Sequence, residues 1–417
     1  MADGDETVLI ESLAAGGDGV GRLADGMTVF VPRTAPGDRV RVADVRRRRR
    51  HARAIPAGVT APGPGRVEPP CPHFRRDGCG GCQWQHLSTV AQLAAKARIV
   101  GDALRRIGHL DVPDPDVFPS PRALAYRATV TLTVRWTAAG PVAGFHDYRD
   151  PGRVIPLERC AIARDEVAAL WDALRPAAAA LPRGSDVRLK LRVAPDGGLH
   201  AVVGGGDGAW ATPGPLVRAA ADRGLVVTVW WEPAGGAMRW MAGPRCDAGA
   251  VGFEQVNPEV AAALRAAVLA AAPADAAGRA LDLYAGAGEI GLALAGRGWE
   301  VATVEANEAA VARAAERARR EGLAVRTVAG RVEERLSGLL PARLVVANPP
   351  RAGLDERVAA ALAGRPPERL VYVSCDPATL ARDLERLAAV PARLRVRCFD
   401  MFPQTSHVET VATLAGA

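Results

Sequence analysis

Cys375 lies in the run Leu370-Val-Tyr-Val-Ser-Cys-Asp-Pro-Ala-Thr-Leu380. The apolar residues before it read as a buried parallel strand. Asp376-Pro377 followed by Ala378 to Leu387 reads as a helix with proline in its first turn. A cysteine at that junction sits where open α/β sheets bind ligands, and the positive end of the helix dipole favours a thiolate. The competing reading is a structural thiol, since cysteine is among the most buried residue types.

A second set of thiols is gathered in Cys71-Pro-His-Phe-Arg-Arg-Asp-Gly-Cys79-Gly-Gly-Cys82. The glycines let the backbone wrap round a ligand, and Cys160 in Ile155-Pro-Leu-Glu-Arg-Cys160 is the natural fourth member. Four thiolates can hold zinc or a 4Fe–4S cluster. Zinc more often uses two close pairs, so three clustered cysteines plus a remote one favour iron–sulfur. The spacing differs from that of the radical enzymes that cleave S-adenosylmethionine, which predicts a cluster that is structural or shapes a binding surface. The chain has seven cysteines, the others being Cys246, Cys375 and Cys398. An odd number argues for metal binding or catalysis over a disulfide framework.

A third candidate is Ala280-Leu-Asp282-Leu-Tyr284-Ala-Gly286-Ala-Gly288-Glu289-Ile-Gly291, a strand, glycine turn and helix. Nicotinamide enzymes share that glycine pattern. Asp282, ahead of the glycines, suits a cationic amino-acid moiety better than a pyrophosphate. Glu305 ends the next strand, where a carboxylate can take both ribose hydroxyls. Together they point to S-adenosylmethionine. A further strand, Ala342 to Ala347, ends in Asn348-Pro-Pro-Arg351 on the same side of the sheet.

These residues need elements to hold them. The chain of 417 residues, 49% apolar, is long enough for two or three cores. Short runs Thr7–Ile10, Gly19–Leu23, Met27–Val31 and Asp38–Val45 suit an OB-like barrel that can present a face to oligonucleotides. Arg46 to Arg50 follow the last run and favour phosphate contact. Residues 56–70 are rich in proline and glycine and read as a linker. Leu87 to Ile107 is an amphipathic helix with Lys96, Arg98, Arg105 and Arg106 on its polar faces. Residues 120–250 alternate β-like runs with an alanine-rich helix near Val167–Ala180, a mixed α/β pattern in which Arg122, Tyr126, Arg127 and Arg135 are basic and aromatic positions. A net charge of +7 favours an anionic partner. No apolar run approaches membrane-spanning length, so no membrane association and a cytoplasmic location are expected.

Taken together, the barrel, the cysteine cluster, Phe253-Glu-Gln255-Val-Asn257, the Asp-Leu-Tyr glycine loop, Asn348-Pro-Pro-Arg, Ser374-Cys-Asp-Pro-Ala-Thr-Leu-Ala-Arg-Asp383 and Phe402-Pro-Gln-Thr-Ser-His-Val-Glu409 resemble the bacterial uracil-C5 RNA methyltransferase family. The first fifty residues resemble that family's TRAM domain. The resemblance implies an α/β chain with three parts: a TRAM barrel over 1–57, a mixed α/β domain with the cysteine cluster over 68–250, and a Rossmann-like class I methyltransferase domain over 251–417. Segment 87–115 would pack on the last of these. It implies Cys375 as nucleophile and Glu409 as base, acting on C5 of a uridine through a covalent Cys–C6 adduct. Gln255, Tyr284, Gly286, Glu305 and Asn348 would lie at the S-adenosyl-L-methionine site. Cys71, Cys79, Cys82 and Cys160 would hold a 4Fe–4S cluster. The partner would be RNA, 23S rRNA first and tRNA as the alternative, met by a monomer. Cytosine-C5 or small-molecule methylation are competing readings. Two departures bear on this: Glu289 stands where many members have asparagine, and Asn348 where aspartate is common, so the amide could face either uracil or cytosine N3.

Overall fold

The computed structural model describes residues 6–246, 252, 254–387 and 393–416. They form two compact units, one drawn from Met1–Thr89, Arg122–Pro258 and Pro403–Thr405, the other from Val90–Pro121, Glu259–Phe402 and Ser406–Ala417.

The first unit begins with a closed barrel of β1 (Glu6–Leu13), β2 (Gly19–Arg22), β3 (Thr28–Val31), β4 (Arg39–Arg47) and β5 (Ala52–Ala61), in the order β1-β2-β3-β5-β4. Alternate residues point inward, so Val8, Ile10, Val29, Val31, Val40 and Val42 make its core. β5 runs through Pro56 and Gly58, into the stretch expected to be a linker. Three register shifts against β4 make room for those residues, because bulges tolerate a proline that a regular ladder excludes. The arginine run is less free than its sequence suggests. Arg46 pairs with Asp44 at 2.7 Å and Arg47 with Asp25 at 2.5 Å, while all five arginines of the run stay exposed.

After α1 (Thr89–Arg106) and β6 (Asp116–Phe118), which fold almost wholly with the second unit, the chain returns to the first. There β7 (Thr129–Thr137), β8 (Gly140–His146), β9 (Val154–Pro156), α2 (Asp165–Leu174), β10 (Val187–Val193), β11 (Leu199–Gly204), α3 (Gly214–Ala221), β12 (Val227–Glu232) and β13 (Arg239–Ala242) follow. Their sheet has the order β13-β12-β11-β10-β7-β8-β9. Only β11 and β12 run parallel, and α3 supplies the crossover that a parallel pair requires. Leu170 and Leu174 of α2 and Leu216 of α3 cover the sheet. Tyr126, one of the basic and aromatic positions near the start of this domain, is buried and hydrogen-bonds the carbonyl of Pro403 at 3.1 Å.

The second unit contains α4 (Pro258–Ala271), β14 (Arg279–Leu283), α5 (Glu289–Ala295), β15 (Glu300–Glu305), α6 (Glu308–Arg320), β16 (Val325–Ala329), α7 (Val332–Arg335), β17 (Leu344–Ala347), α8 (Glu356–Gly364), β18 (Arg369–Ser374), α9 (Pro377–Arg386), β19 (Arg393–Phe399) and β20 (Glu409–Ala415). The sheet order is β16-β15-β14-β17-β18-β20-β19-β6, with β20 antiparallel to both of its neighbours. Its central strands β14, β17 and β18 are almost wholly buried because helices cover both faces. Val100, Leu104, Leu362 and Leu384 pack against one side, Val260, Leu264 and Leu294 against the other. Lys96, expected on a polar face of α1, is fully buried in this unit. No helix among the described residues is long and apolar enough to cross a membrane.

Candidate active site and cysteine cavity

Two chemically distinct groups of residues emerge, one in each unit. In the second unit β18 ends at Ser374, and its pairing with β20 sets Ser374 opposite Thr410. Cys375 follows as a bend just past that pair, beside the start of β20 at Glu409, whose charge acts on the thiol. Neighbouring strands lie about 5 Å apart, so the thiol and the carboxyl are near neighbours. Glu409 is only 5% exposed, and burial pushes its carboxyl up to about 7 against the pull of Arg351. Burial also raises the Cys375 thiol, and the Glu409 charge adds to the rise. A hydrogen bond and charge from Arg351 pull it back down. The expected lowering by the α9 dipole does not prevail. Asp376 caps that helix, its Oδ1 accepting from Thr379 N at 2.8 Å, so the helix end already has an anion of its own.

Arg351 was not singled out by the sequence. Its neighbours fix the loop that carries it. Asp383, fully buried, accepts from Leu354 N at 2.8 Å and Tyr372 OH at 2.7 Å. Thr379 Oγ1 donates to the Arg351 carbonyl at 3.1 Å, and Arg382 to that of Ala352 at 2.7 Å. The Pro-Pro stretch before Arg351 was the available signal, because it stiffens a turn at the carboxyl end of β17.

Along the same edge lie the residues assigned to the methyl donor. Asp282 is buried and accepts from Gly291 N at 2.8 Å. Burial and the nearby Glu305 raise its carboxyl to about 7. Gly291 has to be glycine, since a Cβ there would lie 2.6 Å from Thr303 Cγ2. Tyr284 sits at φ 60, a left-handed conformation that non-glycine residues seldom adopt and that often marks functional turns. Gly286 N donates to Glu305 Oε2 at 2.9 Å, and Asn307 N to Glu305 Oε1 at 2.8 Å. Each of those oxygens keeps a lone pair for a further donor. Asn348 is exposed just past β17, its backbone N bonded to Leu283 O at 3.2 Å. Glu289 forms an ion pair with Arg265 at 2.5 Å. Gln255 folds with the first unit, and Phe253 of the same motif lies outside the described residues.

In the first unit Cys71, Cys79, Cys82 and Cys160 together line a cavity of about 150 Å³. Between the first two, a single turn of π-helix, His73–Asp77, folds back on itself. His73 is buried, its Nδ1 2.7 Å from Asp77 and its Nε2 accepting from Glu158 N at 3.1 Å. Burial pushes the Cys79 thiol up to about 11 and Cys82 to about 12, and charge on the neighbouring cysteines adds to both. Arg33 of the barrel is clasped between the rings of Phe74 and Tyr148, at 3.9 and 3.8 Å from their centroids, and donates to Cys79 O at 2.7 Å. Among the described residues, no three His, Cys, Asp or Glu side chains are arranged to hold a metal ion. The thiols ring a space instead of converging on one point.

Three family models match the chain: the TRAM domain over residues 6–54, the methyltransferase small domain over 258–370 and tRNA (uracil-5-)-methyltransferase over 331–416. The chain is 35% identical to the 23S rRNA (uracil(1939)-C(5))-methyltransferase RlmD of Chromohalobacter salexigens, over 97% of this chain and 88% of that protein. It is likewise 35% identical to the RlmD of Azoarcus sp., over 97% of this chain and 98% of the other. The structure of Pyrococcus abyssi tRNA (uracil-54, C5)-methyltransferase in complex with S-adenosyl-L-homocysteine shares the fold at a TM-score of 0.74 and 23% identity, covering 98% of this chain and 99% of its own. With relatives at that identity along nearly its whole length, and with a thiol, an acid and a glycine turn at one edge of a methyltransferase sheet, the chain belongs to the RNA uracil-C5 methyltransferases.

Proposed function

We propose that the chain methylates C5 of a uridine in 23S rRNA, with S-adenosyl-L-methionine as methyl donor and Cys375 as covalent nucleophile. The observation that carries this reading is the end of the β18–β20 ladder at Ser374 and Thr410, which brings Cys375 and Glu409 within each other's electrostatic reach, with Arg351 acting on both. C5 of uracil is too poor a nucleophile to take a methyl group unaided. Addition of the Cys375 thiolate to C6 moves electrons toward the C4 oxygen and leaves an enolate with density on C5. The Arg351 guanidinium stabilises the thiolate that begins this step. S-adenosyl-L-methionine, when bound, supplies the methyl group as an electrophilic sulfonium. Glu409 then takes the C5 proton, the electrons re-form the C5–C6 double bond, and the thiolate leaves. A carboxyl held near 7 by burial is suited to that proton transfer at neutral pH.

Tyr284, Gly286 and Glu305 take the donor in this reading, with Asp282 behind the glycine turn. Asn348 lines the base side, where its amide oxygen accepts from uracil N3–H. The four cysteines suit a 4Fe–4S cluster: all donors are thiols, they ring a cavity, and burial with mutual repulsion disfavours uncompensated thiolates at Cys79, Cys82 and Cys160. Such a group would tie the π-turn to Cys160. The RNA substrate is argued from the names of the relatives and from the exposed Arg48 to Arg50 on the barrel.

The test is a 23S rRNA fragment carrying 5-fluorouridine, in which fluorine replaces the proton that Glu409 must remove. A denaturation-stable protein–RNA complex is expected, formed on the 23S fragment in preference to tRNA and absent from Cys375→Ala. If no such complex forms, the covalent mechanism is wrong.

A further inference from the structure

Lys96 is fully buried on α1, and nothing in the mechanism above uses it. Its Nζ donates to Asp400, which is 2% exposed, and to the carbonyl of Phe402 at 3.0 Å. Asp400 directly follows β19. Its backbone N donates to Phe118 O of β6 at 2.9 Å, and the Phe118 ring packs on that of Phe399 at 5.8 Å. Phe399 is the residue paired with Glu409 across β19 and β20. One step along the same ladder, Cys398 Sγ meets Thr410 Oγ1 at 3.9 Å. Glu409 therefore stands between the position of Cys375 on one side and a strand end fastened by Lys96 on the other.

The choice of residue supports more than a stabilising role. A buried ion pair is seldom more stable than apolar residues of the same volume, and its best-attested use is to fix one register. The chain has 53 basic residues, of which only Lys96 and Lys190 are lysine. Arginine fills nearly every other basic position, yet this one holds the compact ammonium, which can meet a carboxylate and a carbonyl at a single point where a planar fork needs more room. We propose that Lys96 is a positioning residue for Glu409, fixing through Asp400 the strand end against which the base is paired. The inference rests on the reading of Glu409 as the base.

If Lys96 sets the place of the base, its loss slows removal of the C5 proton more than addition of the Cys375 sulfur to C6. The enzyme then accumulates as the methylated covalent adduct. The experiment compares the parent with Lys96→Arg, Lys96→Met/Asp400→Leu and Glu409→Gln on an unmodified 23S rRNA fragment. It measures turnover and the fraction of enzyme in a denaturation-stable RNA complex. The double variant leaves no unpaired buried charge, which keeps a folded protein in hand. We expect Lys96→Arg and the double variant to turn over at least about tenfold more slowly, with a several-fold larger adduct fraction. A purely structural lysine would lower turnover and adduct together. If Glu409→Gln accumulates adduct and the folded double variant keeps the parent's fraction, the role given to Lys96 is overturned alone. If Glu409→Gln accumulates none, the assignment of the base falls, and the role of Lys96 falls with it.

Discussion

The cysteine cavity and the Cys375 site use the same side chain under opposite conditions. In the cavity, thiols face one another, so charge on one raises the next, and burial pushes Cys82 up to about 12. Cys375 is only partly buried, and the charges that act on it are an acid and a guanidinium of opposite effect. A thiol among thiols needs a cation in their midst to be ionised. One beside Arg351 can be ionised singly and still reach a substrate. On the proposed reading, the difference between ligand and nucleophile lies in the neighbours and not in the cysteine.

The sharpest way to break this comparison is Cys375→Ala. It should lower turnover by ~10⁴-fold or more and abolish the fluorouridine complex, while RNA retention on a filter persists. Next come Cys71→Ser and Cys160→Ser. Either should remove visible absorbance from protein prepared without oxygen and lower its melting temperature by roughly 5 °C or more. Alkylation of Cys375 should be unchanged. A colourless parent protein with stoichiometric zinc would remove the iron–sulfur side of the contrast.

Arg351→Ala should reduce turnover by ~10²-fold and move the alkylation profile of Cys375 to higher pH, since the group that lowers its pKa is gone. Alkylation rates between pH 6 and 10 check this, and Arg351→Lys should restore part of the loss. A smaller effect concerns pH. Glu409 titrates near 4.5 when unfolded and at about 7 when folded, so the folded state holds the extra proton between those values. Stability therefore falls as pH rises through that window, whereas turnover rises toward a plateau above about 7. Glu409→Gln should flatten the stability slope in denaturant titrations at pH 5 and pH 8. Asp282, also raised to about 7, leaves a residual slope. The smallest effect is expected from Glu289→Asn. Because Glu289 already pairs with Arg265 in a half-exposed ion pair, affinity for the methyl donor should change by less than about threefold in calorimetry.

Much of this was legible in the sequence because it is written locally. Asp282, the glycines after it and Glu305 read as a strand, turn and strand end, and the structure has β14, α5 and β15 there. Four barrel strands followed from alternation. β5 did not, because Pro56 and Gly58 signal a linker, and only the bulged pairing with β4 makes a strand of them. Lys96 was misplaced for a related reason: helical periodicity shows a charge on a helix but not a buried carboxylate 304 residues away. Arg351 gave no sign of its own, since its influence on Cys375 and Glu409 depends on the order in which β17, β18 and β20 are laid side by side.

That order has a consequence for how the enzyme comes into being. β20, the last strand in the sequence, takes an interior place between β18 and β19. A growing chain that has reached residue 400 carries Cys375 and the glycine turn but not Glu409, and its sheet still lacks a middle strand. Competence is thus deferred until the final segment threads home, a long-range pairing of the kind that forms late.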